Sequence, residues 1–342
     1  VAVAAAVLLG VVLAVAMVPA SIHAGLLCSL LGVGCPSTGE PAGRLPELTR
    51  LTAAEAALTG KYVALGDSYS SGEGVYRRGA EPLDGGADRC HRAQGSYVPL
   101  VAGAHRFGGG SAFWACSGAT TRQLLRGQYG QEPQINHVGP DTSLITLSIG
   151  GNDAGFAPVL TECIVKLPWS SQCVDQDAAV RRRIGELRGS LRTVLAEIRA
   201  RAPEARVILL GYPRPFPAAP DRRVANLSVE DQRWLNAMTR HLNDVVRDVA
   251  GEFDRAIAAL EGPGSVEYVD AYDAFDGHEV GRPQPYLNGV ILDLDSRSVD
   301  PRSFHPTADG YRRFADLVND QIRKGPDRPL HNFRVTLPSP TR

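Results

Sequence analysis

The residues that could do chemistry fall in four short polar blocks. Gly66-Asp67-Ser68-Tyr69-Ser70-Ser71-Gly72 directly follows an apolar run, so Ser68 sits where a strand turns into a helix. A serine there is exposed, beside backbone N–H groups that favour a developing negative charge. On its own it reads equally well as a helix N-cap. Ala115-Cys116-Ser117-Gly118-Ala119-Thr120 holds Gly118, where the backbone can come close to a ligand and present its N–H; alone it is a loop glycine. Gly150-Gly151-Asn152-Asp153 ends another apolar run, and the Asn152 amide can donate to an oxyanion or satisfy its own turn. His305 stands just before a C-terminal helical pattern, where a lone histidine is more often structural. Together they supply the three parts that acyl transfer from an ester needs. These are a hydroxyl (Ser68), a base near neutral pH (His305) and donors for the tetrahedral oxygen (Ser68, Gly118, Asn152). No serine lies in a Gly-x-Ser-x-Gly elbow, which disfavours the usual α/β-hydrolase.

The elements that must position these groups are legible as alternating patterns. Lys61–Gly66, Ser111–Cys116, Ser143–Ile149, Arg206–Leu210 and Ser265–Val269 read as strands. Ser96–Ala104 reads as a short helix. From Ala178 to Ala202, Val180, Ile184, Leu187, Leu191, Val194, Leu195 and Ile198 recur at helical spacing. Ser228–Leu260 is helical with Ser228 as N-cap, and Thr307–Ile322 is the last helix. Strands alternating with helices predict an α/β fold with a mainly parallel sheet covered on both faces, whose chemistry lies at the C-terminal strand ends.

With 342 residues, 44% hydrophobic and 21% charged, the chain excludes coiled coil, collagen and wholesale disorder. Its 36 basic and 37 acidic residues nearly cancel, and no like-charge run exceeds Arg181-Arg182-Arg183, so no nucleic-acid partner is expected. Residues 1–24 open on an uncharged apolar stretch followed by small residues, an export signal or an N-terminal membrane anchor. Residues 25–57 read as a linker, 58–323 as the folded domain and 324–342 as a polar tail. Six cysteines (Cys28, Cys35, Cys90, Cys116, Cys163, Cys173) fit disulfides in an exported chain, with Cys28–Cys35 near enough for a local loop; no zinc-like spacing occurs. The acidic group Asp293, Asp295 and Asp300 lacks the pattern of a calcium loop and reads as turn chemistry, with no metal expected.

Gly66-Asp67-Ser68-Tyr69, Gly118, Gly150-Gly151-Asn152-Asp153 and His305-Pro306, in that order, resemble the SGNH (GDSL) hydrolases. Tyr62–Gly74 and Phe275-Asp276-Gly277-His278-Glu279 are similar to the secreted actinobacterial lipase/esterase branch, and the likeness covers about residues 60–323. The resemblance implies a flavodoxin-like three-layer α/β/α sandwich and cofactor-free hydrolysis of carboxylic esters, with lipid esters foremost. It makes Ser68 the nucleophile and His305 the base, with Ser68, Gly118 and Asn152 as the oxyanion hole. It also implies the disulfides Cys90–Cys116 and Cys163–Cys173. Where the family often has Asp three residues before the histidine, this chain has Arg302. Either Asp300 reaches the imidazole or a backbone carbonyl near Arg302 holds it. The expected enzyme is a monomer, secreted or anchored to the outer face of the membrane through its N-terminal segment. A carbohydrate acetylesterase and a non-catalytic binding protein on the same fold are the rival readings.

Overall fold

The computed structural model describes residues 47–77, 89–167, 169–293 and 298–336. The chain divides into two units, and residues 50–333 carry everything that bears on the site. Strand β1 (Glu47–Arg50) pairs with β9 (Phe333–Thr336) in a two-stranded sheet whose residues are all exposed. The expected leader, most of the connector, the pair Cys28–Cys35 and Asp295 lie outside the described residues.

The main sheet contains β2 (Lys61–Gly66), β3 (Ser111–Phe113), β4 (Thr142–Ser148), β5 (Arg206–Leu210) and β6 (Ser265–Val269), in the order β3-β2-β4-β5-β6. All four pairings are parallel. Counted from β2 this is the flavodoxin-like order 2-1-3-4-5. β4 is buried at all seven positions, as a central strand covered on both faces must be. The edge strand β3 ends at Phe113 rather than Cys116. The extended chain beyond it still bonds the sheet from Trp114 N to Ala64 O and from Cys116 N to Gly66 O.

Parallel connections are right-handed, so the reversal of strand order after β3 sends the crossover helices to opposite faces. Helix α8 (Ala308–Lys324) packs with α1 (Ala53–Leu58) and α3 (Tyr97–Ala104), whereas α6 (Asp177–Arg201) packs with α4 (Thr121–Arg126) and α7 (Val229–Ala259). In α6 the buried residues are the seven whose spacing announced the helix. Such a side chain contributes roughly 1.5–3 kcal/mol when it leaves water. α7 opens on a capping box between Ser228 and Asp231.

Three helices were not expected. α1 and α4 begin with capping boxes, Thr52/Glu55 and Thr120/Gln123. α1 falls inside the segment read as connector and buries Ala56 and Ala57. α5 (Phe156–Val165) follows the Gly150–Gly155 turn. The segment read as a tail carries β9 and the buried Leu330 and Asn332.

The N-terminal edge of the sheet is fastened by one charged group. Arg206, fully buried at the start of β5, grips the Glu267 carboxylate through Nε (2.8 Å) and Nη2 (2.7 Å). It also donates to the carbonyls of Ala53 on α1 and of Gln321 and Ile322 in the last turn of α8, at 2.8 Å each. Removing one partner leaves a buried charge uncompensated. Glu267→Leu is therefore expected to lower stability by about 3–5 kcal/mol, measured by urea unfolding; a loss within experimental error would show that the pair braces nothing.

Candidate active site

Ser68 stands at the first position of α2 (Ser68–Ser71), directly after β2. Its N–H therefore has no acceptor within the helix. Asp67 is the N-cap and accepts from Tyr69 N at 3.0 Å. Gly66 makes this abrupt turn possible, with φ +127° and no room for a side chain, since a Cβ would lie 2.4 Å from the Ser148 carbonyl oxygen. Gln134 holds both backbone groups of Gly66, accepting from its N–H (2.8 Å) and donating to its carbonyl (2.9 Å).

His305 reaches this turn from the far end of the domain. Its Nε2 lies 2.7 Å from Ser68 Oγ and its Nδ1 3.1 Å from the Ser303 carbonyl oxygen. A carbonyl can only accept, so Nδ1 carries the proton and Nε2 is left to accept from the serine. Tyr69 fixes the loop from the serine side, because its hydroxyl donates to the Phe304 carbonyl (2.7 Å) and its ring meets the imidazole at 5.0 Å. Burial lowers the His305 pKa below the ordinary value, opposed by the Glu73 charge and by the Ser303 and Pro301 carbonyls. The shift favours the neutral ring.

Asp300, one of the two alternatives for the partner of the imidazole, is turned elsewhere. It accepts from Arg302 Nε (3.0 Å), Nη2 (2.9 Å) and the Arg302 backbone N–H (2.9 Å). The guanidinium two residues on takes the carboxylate, and the backbone carbonyl of Ser303 takes the imidazole. Of the two alternatives, the geometry is that of the carbonyl.

Asn152 and Gly118 are joined through the loop between them: Asn152 Nδ2 donates to the Ala119 carbonyl at 3.0 Å. The Asp153 carboxylate accepts from Thr121 N (3.0 Å) and Thr121 Oγ1 (2.5 Å). Ser68, Asn152 and His305 line one cavity of about 290 Å³; Gly118 lies outside its lining. The other walls are largely apolar, with Phe156, Leu160 and Ile164 from α5 and Leu235 and Leu242 from α7. One disulfide braces a wall and another the adjoining loop. Cys90–Cys116 holds the strand-end loop before Gly118, where Ser117 N donates to the Cys90 carbonyl, and Cys163–Cys173 ties α5 to the chain beyond it.

Sequence reasoning missed Tyr212, at the end of β5. Its hydroxyl donates to the Asp67 carboxylate and accepts from Gly151 N (3.0 Å), linking the residue before Ser68 to the residue before Asn152. Burial pushes the Asp67 pKa up to about 6, against the opposing bonds from Tyr212, Ser148 and Tyr69 N. The only signal was position, a tyrosine two residues beyond a strand. His278, in the block similar to the lipase/esterase branch, bonds the Gln284 carbonyl through Nδ1 (2.7 Å) and stacks on Tyr286.

A serine hydroxyl bonded to an imidazole at the switch point of a 2-1-3-4-5 parallel sheet, without a Gly-x-Ser-x-Gly elbow, defines a class of serine hydrolase distinct from the α/β-hydrolases. The model of the GDSL-like Lipase/Acylhydrolase family matches residues 64–313, and the chain belongs to that family. A Streptomyces rimosus protein named Lipase is 36% identical over 250 residues, 73% of this chain and 81% of its own. The crystal structures of phospholipase A1 from Streptomyces albidoflavus NA297 and of an extracellular lipase from Streptomyces rimosus are each 33% identical to it. Each covers 77% of this chain and 99% of its own, with a TM-score of 0.63.

Two outcomes are expected from this geometry. Asp300→Asn should leave ester turnover within a few-fold of wild type, and a drop of about 10⁴, the size seen when a direct carboxylate partner is lost, would return the role to Asp300. Replacing Cys90 and Cys116 together by alanine opens a bridge of 26-residue separation. Chain entropy puts its loss at about 3–4 kcal/mol, read as a lower denaturation midpoint.

Proposed function

We propose that this chain is a carboxylic-ester hydrolase of the lipase/esterase type, with Ser68 as nucleophile and His305 as general base. The observation that carries the reading is the 2.7 Å bond between Ser68 Oγ and His305 Nε2, with Nδ1 engaged by a carbonyl. As Oγ attacks the acyl carbon, its proton passes to Nε2 and the carbonyl oxygen of the ester becomes an oxyanion. The Ser68 and Gly118 N–H groups and the Asn152 amide are suited to receive that charge. The imidazolium then gives its proton to the leaving alcohol, and water takes the alcohol's place to release the acid. The Ser303 carbonyl fixes the tautomer and orientates the ring, though it stabilises the imidazolium less than a carboxylate does.

The apolar walls of the cavity favour an acyl chain of several carbons and hold far more room than an acetyl group needs. Relatives named lipase and phospholipase A1 support lipid esters as the substrate class. The same cavity speaks against acetylated carbohydrate. Secretion is supported by the disulfides, by the apolar leader in the sequence and by a relative described as extracellular. Among the described residues no helix is long and apolar enough to cross a membrane.

A fluorophosphonate probe should label the wild-type enzyme and not Ser68→Ala; labelling that persists in the variant would falsify the assignment. Asn152→Ala should lower kcat by about 10²–10³. Nitrophenyl esters of medium chain should exceed the acetate in kcat/KM, with the acid limb of the profile below the ordinary histidine value of about 6.5.

A further inference from the structure

One buried ionisable group beside His305 has no part in the steps above. Glu73 stands in a short 3-10 turn, Glu73–Val75, directly after α2. Its side chain is 3% exposed. The backbone of this turn is pressed onto the histidine loop: a Cβ on Gly74 would lie 2.1 Å from the Pro306 carbonyl oxygen and 2.9 Å from the His305 carbonyl carbon. Asn288 ties the two together, donating from Nδ2 to the Gly74 carbonyl and from its backbone N–H to the His305 carbonyl, at 2.9 Å each. The carboxylate accepts from Ser117 Oγ (2.5 Å) and bonds His91 Nδ1 (2.8 Å). Its ionic partner among the described residues is His91, a weakly basic group.

Burying a carboxylate beside a hydroxyl and a histidine, with its other cation, the Arg302 guanidinium, already bound to Asp300, is expensive if its only task is to tether a loop. We propose that Glu73 is a positioning residue for the hydrolysis, acting through His305: its fixed negative charge stabilises the imidazolium that the Ser303 carbonyl alone supports weakly. The inference rests on His305 being the base. The Glu73 charge opposes the downward shift that burial imposes on His305. Burial likewise pushes Glu73 up, but its bond to His91, the charge His305 carries when protonated, and its bond to Ser117 outweigh that and hold it below its ordinary value. The other groups around the imidazole are differently committed. Asp67 is held by Tyr212 and Ser148, Asp300 by Arg302, Tyr69 by the Phe304 carbonyl, and Tyr311 of α8 by the Ser68 carbonyl.

The test is Glu73→Gln, which keeps the size and the acceptor for Ser117 but removes the charge. His305 is followed by NMR titration, alongside the pH profile of kcat and KM on a soluble ester. Without the anion the imidazolium is less stable, so the His305 midpoint should fall by about one pH unit and plateau kcat by about tenfold. KM should not change. Direct titration of the ring separates it from Asp67, which protonates near pH 6. Ser117→Ala, which loses the tether but keeps the charge, should leave the His305 midpoint at its wild-type value. An unmoved midpoint in Glu73→Gln overturns the proposal and makes Glu73 a loop tether. If Glu73→Gln fails to fold, Glu73→Asp replaces it: a midpoint held near wild type supports the charge, and one that falls as if the charge were gone overturns it. If Ser68→Ala or His305→Ala keeps turnover, the mechanism itself fails, and the titration still reads whether Glu73 and His305 are coupled.

Discussion

The contact on which the rest of this structure depends is the hydrogen bond between Ser68 Oγ and His305 Nε2, made by residues separated by 237 positions. A bond of that span has no local cause. It exists because a parallel sheet brings the ends of distant strands to one edge, and because the returning C-terminal segment is fastened at several points. Tyr69 holds the Phe304 carbonyl, Asn288 holds those of His305 and Gly74, and the Thr307 cap starts α8 immediately afterwards. Each fastening is a neutral bond of modest net worth, about 1 kcal/mol. Together they leave the imidazole little freedom. The proposed roles of the pair require this, since an ångström of misplacement is costly in rate.

The partner of the imidazole is a carbonyl dipole in place of a full charge. Arg302 occupies the position where related chains often have an acid, and its guanidinium also takes the neighbouring Asp300. The ring keeps its tautomer but forgoes a counterion in direct contact. Burial alone lowers its basicity. The site therefore holds an imidazole that is readily neutral, and on the proposed mechanism the support for its protonated form comes from groups farther off.

Much of the architecture was legible because its signals are repetitive. The seven apolar positions of α6 and the all-apolar interior of β5 admit few alternatives. Ser68, Gly118, Asn152 and His305 were legible as ordered blocks, since chemistry at strand ends fixes their sequence order. The structure joins three of them around one cavity and places Gly118 on the adjoining loop. The short helices α1 and α4 passed unread although the capping-box pattern stood in the sequence, because six residues carry too little periodicity. The hydrogen bonds of Tyr212 and Gln134 were not legible, and the sequence left the partner of His305 open between Asp300 and a carbonyl. Which acceptor a hydroxyl or amide finds across about 70 or more positions depends on strand register and loop path, and neither leaves a local trace. Arg206 shows the same limit: a charged residue at the head of an apolar run gave no hint that its guanidinium would be wholly enclosed.

Arg206 also implies a division of labour along the strand axis. The fastener of α1, α8, β5 and β6 lies at the end of the sheet opposite to Ser68, Asn152 and His305. Segments on the working rim can therefore be lengthened, exchanged or re-bridged without disturbing the clasp that keeps the layers together. A scaffold arranged in this way is well suited to acquiring new acyl or alcohol preferences by rebuilding its rim alone.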